Sequence, residues 1–392
     1  MPRAPDAAQT GGPEKVMHRP IRTVGLITGG GDAPGLNAVI RAVVKTAAGE
    51  YGLRVLGIED SFEGLLDETR TRELTPKDVR GLLPRGGTIL GTRNTGRFVE
   101  RDESGREIKP EAVYREALAN LERLGIDALI VLGGEGTLTI AAEFDRMGIP
   151  VVGVPKTIDN DLACTELTFG FATALDIATE ALDRLHTTAE SHDRVMLLEV
   201  MGRHTGWIAL HSGIAGGADV ILIPEIPFSM EVVAEKILER ERCGSQFSII
   251  VVAEGAREVG GQLIYQDAGD RHRAPRLGGI GLHCRDCLER LTGKETRCVI
   301  LGHLQRGGRP NAFDRMLATS FGANAVRALM NGERGVMVAL QAANIITVPL
   351  SEAISNIKTV PPDGQLVRTA RDVGISFGAP DEKTHHKTGN CF

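Results

Sequence analysis

The stretch IRTVGLITGGGDAPGLNAVIRAVVKTAA, residues 21–48, decides the fold class. A β-branched apolar run leads into a glycine-rich turn, and a helical pattern follows at once. The same order recurs along the chain: ALIVL leads to GGEGTLTIAAEFDRM, and PVVGVP, RVMLLEV, DVILIPE and FSIIVVAE continue the series. Continuous apolar strands separated by helices predict an α/β fold, with a mostly parallel sheet covered by helices on both faces. Ligands in such folds collect outside the carboxyl ends of the strands.

A chain of 392 residues exceeds one ordinary core. At roughly 100 to 200 residues per domain, two domains are expected. The larger spans residues 21–168 and takes the chain back at about 304–345; the smaller spans 169–303. Residues 1–20 contain no apolar run of the kind a signal peptide needs and read as a flexible tail. Residues 346–392 form a C-terminal segment whose end, SFGAPDEKTHHKTGNCF, reads as polar and frayed. The stretch 257–279 reads as a hairpin or loop insertion.

A formal charge of -6 argues against a general nucleic-acid or membrane-surface binder, because both need a broad basic field. No run approaches the about 18 apolar residues that span a bilayer. Six scattered cysteines form no dense disulfide pattern, and a cytoplasmic protein is expected. The pair in HCRDC, residues 283–287, reads as buried or idle thiols rather than a metal site, since no second pair accompanies it.

Four polar clusters carry chemistry. TGGGDAPGLN, residues 28–37, places glycines after a strand and before a helix, which suits either a phosphate cradle or a tight structural turn. VLGGEGTLT, residues 131–139, repeats the device around Glu135, a carboxylate fit for Mg²⁺ beside phosphates or for the N-terminus of a helix. In VPKTIDNDL, residues 154–162, an extended backbone puts Asp159 and Asp161 on one side and Asn160 on the other. Such close carboxylates serve as general base and metal holder, or belong to a wet Asx-rich turn. Lys156 offsets their repulsion. Finally, Arg194, Arg203, Arg297, His303 and Arg306 lie near strand ends, where arginine forks suit phosphate oxygens.

GGGDAPGLNAVIR, GGTILGT, GGEGT, PKTIDND, EVMGRHTG, the AEGA turn and LGHLQRGG occur in this order between about residues 21 and 330. Together they resemble the phosphofructokinases that act on fructose 6-phosphate, with ATP or pyrophosphate as donor. The resemblance implies two domains with the active site in the cleft between them, donor on the larger and sugar phosphate on the smaller. It implies that Asp159 takes the proton from the sugar C1 hydroxyl with Thr157 beside it, and that Arg203 steadies charge during transfer. Asp161 and Glu135 are similar to the carboxylates near Mg²⁺, although the family more often has aspartate at the latter position. Gly31, Gly134, Gly136 and Thr137 resemble the donor cradle, which Lys156 adjoins; the arginine that contacts the donor falls on Arg93 or Arg97 of GTRNTGRF. Met201, Gly202 and Glu254 resemble sugar contacts. Arg194, Arg297, His303 and Arg306 resemble holders of the 6-phosphate. The first two come from a neighbouring subunit in bacterial tetramers, so a homo-oligomer, dimer or tetramer, is implied.

The donor is read at Gly136. Pyrophosphate-using members commonly carry aspartate there, which closes the space of the ATP α-phosphate, together with a lysine at the position of Lys156. This chain has the lysine without the aspartate, so ATP is the expected donor and pyrophosphate the alternative. A noncatalytic sugar-phosphate or nucleotide sensor is a second alternative, opposed by the presence of Asp159, Asp161 and Arg203. Arg41 and Lys45 match effector positions of some relatives, but ERCGSQ replaces the basic cluster expected before the AEGA turn, so allosteric control is not carried over.

Overall fold

The computed structural model describes residues 20–94, 96–101, 107–267 and 276–380. The first part of the chain supplies β1 (Thr23–Thr28), α1 (Leu36–Tyr51), β2 (Arg54–Ile58), β3 (Thr71–Glu73), β4 (Glu100–Arg101), β5 (Glu107–Ile108), α2 (Glu111–Leu124), β6 (Ala128–Gly133), α3 (Glu135–Arg146) and β7 (Val151–Pro155). Next come α4 (Phe171–His192), β8 (Val195–Val200), α5 (Trp207–Ala215), β9 (Val220–Leu222), α6 (Met230–Arg242), β10 (Ser248–Ala253), β11 (Tyr265–Asp267), β12 (Arg276–Leu277), α7 (Ile280–Thr292) and β13 (Thr296–Ile300). The chain finishes with α8 (Ala312–Met330), β14 (Val336–Gln341), β15 (Asn344–Pro349), α9 (Leu350–Ala353) and α10 (Gln365–Asp372).

Two principal sheets result. The larger has seven strands in the order β15-β14-β7-β6-β1-β2-β3, and the smaller has four in the order β13-β8-β10-β9. Pairing is parallel throughout the smaller sheet and through the centre of the larger, with β3 and β15 as antiparallel edges. The α/β expectation therefore holds. β1, β6, β7, β8 and β10 are buried along their whole lengths, as strands covered on both faces must be. One apolar cluster packs α1 and α8 on the larger sheet, through residues such as Val39, Val43, Leu132, Phe321 and Leu329. Another joins α4 and α5 to the smaller sheet through Leu182, Leu198, Leu210 and Val251.

β11 and β12 pair antiparallel, in keeping with the hairpin expected over 257–279, although its tip lies outside the described residues. The end of the chain departs from expectation. Phe377 and Ala379 are buried in the smaller sheet's cluster, and Ser376 pairs with Val220, so residues 376–379 are a packed segment. Two apolar side chains within the polar run supply the burial. The tail expected over residues 1–20 and the residues after 380 fall, but for Pro20, outside the described residues. Among the described residues no helix is long and apolar enough to cross a membrane. Cys164, Cys284, Cys287 and Cys298 are free thiols, and Cys243 is disulfide-bonded.

Candidate active site

Carboxyl ends of strands from both sheets converge on one cleft. Gly29 to Gly31 follow β1, Gly134 follows β6, and Lys156 follows β7. From the smaller sheet come Met201 to Arg203 after β8 and Glu254 after β10. His303 and Arg306 follow β13 through a single 3-10 turn, Gly302–Gln305.

The two glycine loops are locked together. Gly29 N–H donates to Leu132 O at 2.9 Å, and Gly30 N–H donates to Arg93 O at 3.1 Å. The side chain of Thr137 fills the space that a Cβ would need at Gly29 and Gly133. Lys156, only 3 % exposed, donates from Nζ to Gly31 O at 2.5 Å. Arg93 leans its guanidinium on Asp60, while Arg97 pairs with Glu63. Gly136 stands in the first turn of α3, and a Cβ added there meets nothing within 4 Å.

The acidic segment differs from its sequence reading. It is not extended: Asn160 adopts φ 52, the left-handed region that asparagine tolerates, and the backbone bends. The bend turns the Asn160 side chain inward, where it accepts from Thr168 N–H at 3.1 Å and from Lys358 Nζ at 3.0 Å. The charge of Asp161 reaches the Asp159 carboxyl and helps to raise it. Thr157 Oγ1 accepts from Asp159 N–H at 3.1 Å and holds the start of the bend.

Burial sets the electrostatics. It pushes Asp159 up to about 6, with Asp161 adding to the rise and Arg306, Lys156 and Arg203 opposing it. Asp159 Oδ1 is buried without a hydrogen-bond partner. Glu254 is raised to about 7 by burial and by the charges of Asp159 and Glu199. Burial lowers Lys156 to about 8, reinforced by Arg306 and opposed by Asp159, Asp161 and Asp32. An orphaned carboxylate oxygen that feels the charge of a second carboxylate and of the buried Lys156 suits a divalent cation carrying phosphates.

Glu135 lies differently from its neighbours in the reading. Its exposed side chain accepts from Thr139 Oγ1 at 3.3 Å on its own helix, as an acid in a first helical turn does. The cationic residues also divide. Arg306 donates from Nη1 to Asp32 O at 3.2 Å and lies against Gly31, at the centre of the cleft. Arg194 and Arg297 lie at the opposite ends of β8 and β13, both paired with Glu295, so the chain by itself does not bring them to Arg306. His303 is exposed within the 3-10 turn.

The sugar-side turns brace each other. Glu254 N–H donates to Val200 O at 2.9 Å and Gly255 N–H to Gly202 O at 3.2 Å. Thr205 Oγ1 reaches Asp159 O at 3.3 Å across the cleft. Sequence reasoning missed three supports. Gln305, fully buried, accepts from Met201 N–H at 2.7 Å. Lys358 holds Asn160 and the carbonyls of Thr165 and Glu166 at 2.9–3.0 Å. Asp314 accepts from Gly170 N–H, Thr173 N–H and Thr173 Oγ1, fastening α8 to the start of α4.

The family model described as Phosphofructokinase matches residues 23–329. A Chloroflexus aurantiacus protein named ATP-dependent 6-phosphofructokinase is 59% identical over 355 residues, covering 91% of this chain and 97% of that one. A Streptomyces coelicolor protein named pyrophosphate–fructose 6-phosphate 1-phosphotransferase is 51% identical over 357 residues, covering 91% and 99%. Among solved structures, T-state phosphofructokinase from Pichia pastoris superposes with TM-score 0.74 at 34% identity, over 88% of this chain and 39% of that longer one.

Proposed function

The chain belongs to the phosphofructokinase family, and on that premise we propose that it is an ATP-dependent 6-phosphofructokinase. It transfers the γ-phosphoryl of ATP to the C1 hydroxyl of fructose 6-phosphate, giving fructose 1,6-bisphosphate, a step of glycolysis. The observation that carries the reading is Asp159: a carboxyl raised to about 6, with one oxygen buried and unpartnered, at the meeting point of both sheets. A base poised just below neutral pH is suited to accept a hydroxyl proton.

Phosphoryl transfer passes through a loose transition state, so positioning and charge neutralisation do most of the work. In this reading the glycine loops with Lys156 and Arg93 seat the donor, and Met201, Gly202 and Glu254 seat the sugar. Arg203 and Arg306 face the charge that passes between them, with His303 beside the sugar's 6-phosphate. Asp161, joined by Glu135 when its side chain turns from Thr139, would hold Mg²⁺, which supplies positive charge to the phosphate oxygens when bound. The donor side corresponds to residues 21–168 with about 304–345, and the sugar side to 169–303.

Gly136 supports ATP. The space that a side chain would occupy there is open and left to a nucleotide. Lys156 keeps pyrophosphate as the second reading, since its buried ammonium sits against the first glycine loop. Arg194 and Arg297 support a homo-oligomer: they lie away from their own cleft, on or beside the edge strand β13, where Val299, Ile300 and Leu304 are exposed. A fully active monomer in solution would remove that part of the proposal.

The test is purified protein with fructose 6-phosphate and Mg²⁺, offered ATP or pyrophosphate. Bisphosphate forms with ATP at least about tenfold faster, a difference of about 1.4 kcal/mol in the barrier. Turnover with pyrophosphate alone overturns the donor assignment, and none with either donor favours a noncatalytic sensor.

A further inference from the structure

The HCRDC segment folds in a way that its cysteine spacing conceals. Cys284 and Cys287 do not act as a pair, because Cys284 is fully buried against the smaller sheet. Cys287 instead stands one helical turn beyond His283 on α7, and the spacing of four puts both side chains on one face. Glu258 approaches that face from the loop after β10. Its Oε1 lies 2.7 Å from His283 Nε2, and Cys287 Sγ lies 3.8 Å from the same nitrogen. The three donor atoms all lie within 4.8 Å of one another.

We infer that Glu258, His283 and Cys287 form a binding site for a borderline divalent transition-metal ion of the Zn²⁺ class. Thiolate, imidazole and carboxylate together suit zinc or cobalt, whereas magnesium prefers an all-oxygen shell, so the reaction's own cation does not compete for it. Metal–sulfur and metal–nitrogen bonds of about 2.3 and 2.0 Å set the ligands about 3.6 Å apart around a tetrahedral ion, close to the sulfur–nitrogen separation seen. The His283–Glu258 contact is a hydrogen bond that opens by roughly half an ångström when the ion takes its place. Binding then releases the thiol proton of Cys287, and the proton on His283 Nε2 if one is present. Arg290 Nη2 lies 3.2 Å from Cys287 Sγ, and as an exposed side chain it turns to solvent when a cation arrives.

The backbone holds the donors ready. The strand-like pairing of Phe228 with Glu258 is fixed by Val259 N–H donating to Phe228 O at 2.9 Å. His283 is exposed and Glu258 and Cys287 are half-buried, so an ion reaches them from solvent. The ion would pin α7 to the loop that begins at Glu254. Any effect on sugar binding rests on the reading of Glu254 as a sugar contact; the binding itself does not.

The test uses the full chain, stripped with a chelator and titrated with Co²⁺ in excess Mg²⁺. One Co²⁺ binds per chain, with a thiolate-to-cobalt charge-transfer band that Zn²⁺ abolishes by displacement. Cys287→Ser removes the band, and His283→Gln and Glu258→Gln each weaken binding at least about tenfold, in line with loss of one ligand. All three positions are half-buried or exposed, and unchanged circular dichroism checks their folding. Cys164→Ser retains the band. No uptake by the wild type, or a band that survives Cys287→Ser, overturns the inference and leaves a His283–Glu258 ion pair beside an idle thiol.

Discussion

Burial moves the ionisable groups of the cleft toward neutrality from both sides. Asp159 and Glu254 rise to about 6 and about 7, and Lys156 falls to about 8. Each is a group whose charge water would otherwise stabilise, and each then becomes sensitive to ligands that bring charge with them. Glu254 yields a prediction on stability. Because its folded-state value is raised, the folded chain keeps a proton that the unfolded chain has released between the usual carboxylate range and about 7. Stability from this group is therefore greatest on the acidic side and falls as pH rises through that window. Glu254→Gln should flatten the fall in melting temperature between about pH 5 and about pH 7. Parallel curves for variant and wild type would show that Glu254 does not titrate there.

At the scale of elements, helix starts and strand ends are tied across long stretches of chain. Asp314 at the start of α8 caps the first turn of α4, accepting from Gly170 N–H at 2.9 Å and Thr173 N–H at 2.7 Å. Asp314→Ala leaves these buried donors unpaired, with an expected cost of about 1–3 kcal/mol in urea unfolding. Undiminished stability would mean that water replaces the carboxylate. The main strands and the glycine turns were legible in the sequence, because apolar runs and punctuating glycines are local signals. Asp314, Gln305 and Lys358 were not, since their partners lie 141, 104 and 198 positions away. The β14–β15 hairpin was equally hidden. Its turn is Ala342–Ala343, both at positive φ, and alanine carries none of the glycine or asparagine signature of such turns. The acidic segment was legible in its residues but not in its path: the left-handed Asn160 depends on Thr168 and Lys358, which no local pattern reveals.

Across the molecule, two mostly parallel sheets present their carboxyl ends to each other, and charged groups of one act on those of the other. Arg306 crosses from the smaller sheet to the Gly31–Asp32 turn of the larger, and its charge acts on Lys156, Asp159 and Glu254 together. Acid and cation thus share one cleft, as transfer of a phosphoryl group requires. The placement of Arg194 and Arg297 at the far ends of β8 and β13 follows from the same parallel geometry. A residue at the start of a strand cannot serve the site at that strand's own end, which is why a second subunit enters the proposal.

Asp159→Asn tests the central claim most directly, because the amide keeps the shape of the side chain and cannot take a proton. With ATP and fructose 6-phosphate, turnover should fall by about 10²–10⁴, while equilibrium binding of the sugar phosphate persists. Turnover at the wild-type rate in this variant would contradict the account.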